Sequence, residues 1–312
     1  MSTTETAVRP RAGASAPEPA ARPRGNGLPA AGFLAPFLIL YLAFIIGPGL
    51  YGLVMSFFDT SLVKPGLGSF AGLGNYAEAL RSPDFWSGLW HTIWFTILTT
   101  PPLIILAFVF ALLADRVKRG RWFFRLAFFL PYILPSAVVA LIWIFLYTPE
   151  LGLLDTGLTA IGITPPNWLG DPGAAMPSLA VTTIWWTLGF NFVLYLAGLQ
   201  DIPRDLYEAS AMDGAGPWQQ IWRITVPMLG RTTTLVAVLQ VIASLKVFDQ
   251  MYIMTQGGPN FATRSALEFI YDEGFTNLRT GYAAAASILF FIVVLAVSAI
   301  WFGIVRRQQK EA

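Results

Sequence analysis

Apolar residues gather into six long runs separated by polar stretches, and this alternation is the chain's dominant pattern. The runs are roughly Gly32–Phe58, Leu89–Leu113, Trp122–Tyr147, Pro177–Leu199, Thr232–Met254 and Tyr282–Val305. Each reaches the ~20 residues a helix needs to cross a hydrocarbon core. Gly47-Pro48-Gly49 in the first run, and Pro131 with Pro135 in the third, predict bends. Bends in a bilayer survive only where neighbours satisfy the freed backbone groups. The pattern predicts an all-α integral membrane protein with six transmembrane helices over residues 32–305.

The polar stretches set the orientation. Fifteen of the 20 Lys and Arg fall before the first run, after the second, fourth and sixth, or at the start of the third and fifth. The positive-inside rule then places both termini and the loop at about 200–230 in the cytoplasm. Residues 1–31, rich in Ala, Pro, Gly and Arg, cannot bury enough surface to offset ordering entropy, so a disordered cytoplasmic tail is expected. The run after it is long enough to span, so it is not read as a cleavable signal. Residues 306–312 make a short cytoplasmic tail. The outer segments, about 59–88, 149–176 and 255–281, are longer than tight turns. Trp86 and Trp168 there suit either interface anchoring or an external partner's docking surface.

Composition agrees: 55% of residues are hydrophobic and 12% charged, with mean hydropathy +0.59. Soluble domains carry about 25% charged residues. A net charge of +2 gives no argument for nucleic acid. With no cysteine, disulfides, thiolate metal sites and cysteine catalysis are excluded. No lysine is followed by Ser or Thr, so the phosphate cradle of a nucleotide hydrolase does not occur. His91 is the sole histidine, so neither a histidine metal cluster nor a histidine triad can be assembled. Transport energy, if any is used, comes from another chain.

The loop between runs four and five has its own order. Asp201 and Pro203 suit a helix start, and Asp213-Gly214-Ala215-Gly216 suits a tight turn. Pro217 restarts a helix on which Trp218, Ile221, Trp222 and Thr225 share a face, and Pro227 is expected to end it. An amphipathic hairpin capping its own helix ends would account for single residues, but less well for the whole ordered set.

With Glu208-Ala209-Ser210, Asp213-Gly214-Ala215, Ile224 and Pro227, this loop resembles the cytoplasmic EAA loop of permease subunits in bacterial binding-protein-dependent ABC importers. Ser210 departs from the usual third Ala. Phe248-Asp249 followed by Thr255-Gln256-Gly257-Gly258-Pro259, and Asn167-Trp168-Leu169-Gly170-Asp171-Pro172, resemble the carbohydrate-uptake, maltose-type branch. The resemblance covers about residues 30–305. It implies a multi-pass bacterial cell-membrane (inner/plasma membrane) subunit that is not itself an enzyme and binds no cofactor. It further implies a second homologous permease as heterodimer partner, an extracytoplasmic sugar-binding protein, and two copies of an ABC ATPase that uses ATP and Mg. The ATPase would grip the loop through Glu208, Ala209, Asp213, Gly214, Ala215, Trp218, Ile221, Trp222 and Pro227. Glu208 would offer a charge-assisted contact, and the aromatic residues would fill a socket or pack on the chain's own helix ends.

Polar residues at bilayer depth are expensive and tend to face a protein interior or a water-filled path. Tyr132 with Ser136, Thr183 with Thr187 and Asn191, and Gln240 with Ser244 recur at spacings of four, which put each set on one helix face. Such groups suit an uncharged polyhydroxylated solute, though they also bond helices to one another. Lys246 and Asp249 are expected to pair on the fifth helix, acting with Gly257, Gly258 and Pro259 in structure or gating. A polyol phosphate such as glycerol phosphate remains an alternative solute. A stand-alone secondary transporter would need acidic relays at depth, yet Asp249 is the only carboxylate within a run. An intramembrane enzyme would need nucleophile machinery that the sequence lacks.

Overall fold

In a computed structural model, residues 27–311 are described apart from 65, 118 and 119; side chains are described over 32–299 outside those positions and 121. The expected tail lies, over 1–26, outside the described residues. By contacts the chain divides into two units, at Leu50 and Tyr51. α1 (Gly27–Tyr41) passes through a π turn at Leu42–Ile46 into α2 (Gly47–Met55), within which that boundary falls, and Phe33, Phe37 and Phe44 of the first unit are exposed.

The second unit contains α3 (Gly74–Arg81), α4 (Pro83–Arg116), α5 (Arg121–Ile133), α6 (Ser136–Tyr147), α7 (Leu153–Ala160) and α8 (Pro172–Gln200). It continues with α9 (Arg204–Met212), α10 (Pro217–Gln220), α11 (Val226–Met228), α12 (Gly230–Leu245), α13 (Asp249–Thr255), α14 (Ala266–Tyr271) and α15 (Thr280–Glu311). No strand occurs among the described residues. Among the described residues, four helical stretches (Gly32–Met55, α4, α8 and Thr280–Ala299) are long and apolar enough to cross a membrane, and the number reaches six if each of two bent pairs counts as one span.

Helices α4 and α8 pack along one another, with α5 against α8 and α12 and α14 against α4. One buried cluster joins Phe95 of α4, Trp143 and Tyr147 of α6, Leu179 of α8 and Met251 of α13. A second joins Ala107 and Ala111 of α4, Phe192 and Tyr195 of α8, Leu229, and Val236 of α12. Small residues on α4 permit the close approach. At Gly189 of α8 a Cβ would collide with the backbone carbonyl of Phe128, so glycine is what lets α5 lie against α8.

Several boundaries differ from the sequence pattern. The third run is two helices meeting at 97°, broken at Leu134-Pro135. Pro135 supplies no N–H and restricts the residue before it to extended angles, so the helix stops at Ile133. Trp186 Nε1 of α8 donates to the freed Leu134 carbonyl at 3.2 Å. The fourth helix starts at Pro172, earlier than expected, because the Asp171 carboxylate caps it by accepting from the Gly173 N–H at 2.9 Å. The fifth run is also divided: α12 ends at Leu245 and α13 begins at Asp249. Lys246 and Asp249 therefore do not share a helix face, and no ion pair joins them; the expected pairing is corrected. Asp201 closes α8 instead of capping α9, whose cap position is Pro203. Pro227 does not end its helix. A π turn at Ile221–Thr225 precedes it, a ladder defect that lets helix continue past proline to Met228 before a 62° bend.

Candidate functional site

The two breaks face the same space. A cavity of about 270 Å³ lies between α5, α6, α8, α12 and α13. Its wall includes Tyr132, Ser136, Thr183, Thr187, Gln240 and Ser244, all singled out from the sequence, together with Lys246 and Asp249. Proline at the first break lets Tyr132 end α5 while Ser136 opens α6, so the pair meets the cavity across a bend and not along one helix. Ser136 Oγ donates to an Asp249 carboxylate oxygen at 3.3 Å, which ties the two breaks together. Asn191 is the exception among the expected lining residues. It lies buried behind the wall and donates to Gln240 Oε1 at 3.1 Å.

Gln250, Phe95, Trp186 and Phe248 complete much of the wall and were not anticipated. Gln250 is buried, accepts from Thr183 Oγ1 at 2.7 Å and donates to the Leu179 carbonyl at 3.2 Å. Its place beside Asp249 was the available signal: an amide next to a charge at depth needs partners. The cavity thus offers hydroxyls, amides, one ammonium and one carboxylate between aromatic rings. This chemistry suits a polar solute held by several hydrogen bonds.

Beyond α13, Gly257, Gly258 and Pro259 form a tight knot. Thr255 and Thr263 hydroxyls lie 2.8 Å apart, and Thr263 Oγ1 donates to the Gly258 carbonyl at 2.7 Å. Arg264 pairs with Asp272 at 2.8 Å, and a His91 ring nitrogen meets the Arg264 carbonyl at 3.1 Å. Glu268 is buried in this knot, with Oε2 lacking a hydrogen-bond partner. Burial, and secondarily the Asp272 charge, push its carboxyl up to about 7.

The loop from Arg204 to Met228 is internally braced. Gln220 Nε2 donates to the Tyr207 carbonyl and to Ser210 Oγ, both at 3.0 Å, and Tyr207 Oη meets Thr225 Oγ1 at 2.9 Å. Gly214 turns the chain at φ +84°, where a side chain would be strained. Tyr207 and Ile224 pack onto the inner cluster of Ala111, Tyr195 and Leu229. Glu208, Ala209, Met212 and Asp213 are left exposed, and Ala215 is half-buried. Trp218, Ile221 and Trp222 line an apolar groove of about 900 Å³ against Ile105, Phe108, Val109 and Leu112 of α4, and Pro227 beyond them is exposed.

A cavity with polar side chains in its wall, formed where apolar helices break, beside a braced and exposed loop, fits a membrane transport component. The chain belongs to the family described as binding-protein-dependent transport system inner membrane component, whose model matches residues 104–311. It is 33% identical to the sulfoquinovosyl glycerol transport system permease protein SmoG of Agrobacterium fabrum, over 91% of this chain and 92% of that one. It is 34% identical to the trehalose/maltose transport system permease protein MalF of Thermococcus litoralis, over 88% and 92%. Among solved structures it matches a bacterial alginate ABC transporter in complex with an alginate pentasaccharide-bound periplasmic protein. That match has 25% identity and a TM-score of 0.80, and covers 91% of this chain and 96% of the other.

Proposed function

We propose that this chain is the membrane-spanning permease subunit of an ATP-driven importer and forms half of the pathway for a sugar or oligosaccharide. The observation that carries this reading is the cavity at the two helix breaks, whose hydroxyls and amides complement a polyhydroxylated solute. On this reading the chain has six spans with both termini inside, and the braced loop at 207–227 lies in the cytoplasm. There its exposed end meets a separate ATPase, with Glu208 offering a charge-assisted contact. Rigid bracing to Tyr207 and Thr225 carries movement of that end into α8 and α12. The partners are a second permease of the same family as heterodimer mate, two ATPase copies using ATP and Mg, and an external solute-binding protein. The relatives' roles in sulfoquinovosyl glycerol and trehalose/maltose transport support a carbohydrate cargo.

One observation favours a second cargo. Lys246 lines the cavity and forms no ion pair among the described residues, so glycerol phosphate or another anionic polyol would find a counter-charge there. A stand-alone secondary transporter finds less support, since Asp249, the one carboxylate at the cavity, is held by Ser136.

The test uses the complex purified from its native membrane. Wild type should bring down an ATPase and a second permease and hydrolyse ATP faster when loaded binding protein is added. Glu208→Ala should keep the assembly but lose most of that stimulation. Purification of the wild-type chain alone, with uptake driven by an ion gradient, would overturn the reading.

A further inference from the structure

Four aromatic rings lead away from the cavity toward the segment read as outer. Phe248 lines the cavity. Its ring stacks on Tyr252 at 5.4 Å and 18°, and lies 5.3 Å from Tyr271. Tyr252 and Tyr271 are 5.1 Å apart, and Tyr271 continues to Phe275 at 5.2 Å. Phe248, Tyr252 and Tyr271 are half-buried, and Phe275 is 62% exposed. The group is not ordinary core. Phe269, on the same helix as Tyr271, is 1% exposed and packs on Phe85 and Tyr282. Interface anchoring alone would not continue into a wall shared with Asp249 and Gln250.

We propose that Tyr252, Tyr271 and Phe275 form a stacking shelf that receives a saccharide ring at the outer face and hands it to the cavity at Phe248. The inference rests on the importer reading above. An aromatic face carries negative charge density, so it attracts the C–H groups of the apolar face of a pyranose. The two tyrosine hydroxyls can at the same time meet sugar hydroxyls. The braced knot at Thr255, Thr263 and the Arg264–Asp272 pair fixes the helices bearing these rings, so little ordering is needed when a ring arrives.

Because the chain has no cysteine, single thiols report unambiguously within it. The complete transporter, reconstituted in proteoliposomes with its binding protein, is first assayed for ATP-driven uptake of trehalose, maltose, sulfoquinovosyl glycerol, an alginate trisaccharide and the ringless sn-glycerol 3-phosphate. Tyr271→Cys, Phe275→Cys and, as an exposed control away from the shelf, Phe261→Cys are then modified with a charged water-soluble methanethiosulfonate. The expected result is that a transported saccharide slows modification at 271 and 275 by roughly tenfold at saturation, leaving 261 unchanged. As a check needing no thiol, Phe275→Leu should lower uptake of that saccharide and Phe275→Trp should restore it. Uptake of a saccharide without protection at 271 and 275 would overturn the shelf and leave the importer reading standing. So would uptake of sn-glycerol 3-phosphate alone. ATP-driven uptake of none of the five would remove the importer reading, and the shelf with it.

Discussion

Glu268 shows how one side chain can make the structure respond to pH. Its carboxyl is buried, one oxygen lacks a partner, and Asp272 stands nearby, so the neutral form is favoured when the chain is folded. Its pKa rises from 4.5 to about 7 on folding, and the folded state holds the extra proton between those values. Stability contributed by this group is therefore complete below pH 4.5 and is lost as pH rises toward 7. Thermal unfolding of the detergent-solubilised complex should show that loss across the interval. Glu268→Gln, which keeps the shape without the charge, should flatten this part of the profile; an unchanged slope would remove Glu268 as its source. At this scale the sequence was informative where chemistry is expensive. Tyr132, Ser136, Thr183, Thr187, Gln240 and Ser244 stood out because polar groups at depth need a reason, and all six line the cavity. Asn191 satisfied the same rule differently, by bonding Gln240 behind the wall. Spacing cannot tell these two outcomes apart.

Helix breaks determine what these residues can do, and the two breaks differ in how far the sequence foretold them. Pro131 and Pro135 announced a bend, because proline removes a donor wherever it sits. The break at Lys246-Val247-Phe248 contains neither proline nor glycine, so local propensity gave no sign of it. Its setting is tertiary: Gln250 is anchored to Thr183 and Leu179 of α8, while Ser244 at the end of α12 stays with its own helix by donating to the Gln240 carbonyl. The first break also depends on a distant residue, since the Leu134 carbonyl accepts from Trp186. Trp186→Phe keeps the ring and deletes that donor. The expected cost is about 1 kcal/mol of stability, the net value of one hydrogen bond to a half-buried acceptor. It should appear as a lower unfolding temperature, with solute-stimulated ATP hydrolysis reduced as the cavity wall loosens. An unchanged unfolding temperature would mean that water or backbone relaxation serves Leu134 equally well.

Across the whole molecule, cavity and loop make one device only if the connection between them is stiff. The six apolar runs were legible because a bilayer demands length and hydropathy, and the loop was legible because its turn and its ordered residues are local. The bracing was not, since it depends on which side chains meet after folding. Gln220 never stood out in the sequence, yet it holds α10 to α9 through the Tyr207 carbonyl and Ser210 Oγ. The same contact explains the departure at Ser210, whose hydroxyl is used where the family pattern has a methyl group. If stiffness transmits the ATPase's movement, removing this brace should uncouple the complex without dissolving it. Gln220→Leu should co-purify with the ATPase as wild type does, while ATP hydrolysis stimulated by loaded binding protein falls several-fold. Ser210→Ala leaves Gln220 its bond to the Tyr207 carbonyl, so it should lose little of that stimulation. Equal loss in both variants would point to the Ser210 hydroxyl as the necessary contact. Full stimulation in Gln220→Leu would show that the Tyr207–Thr225 contact alone is stiff enough.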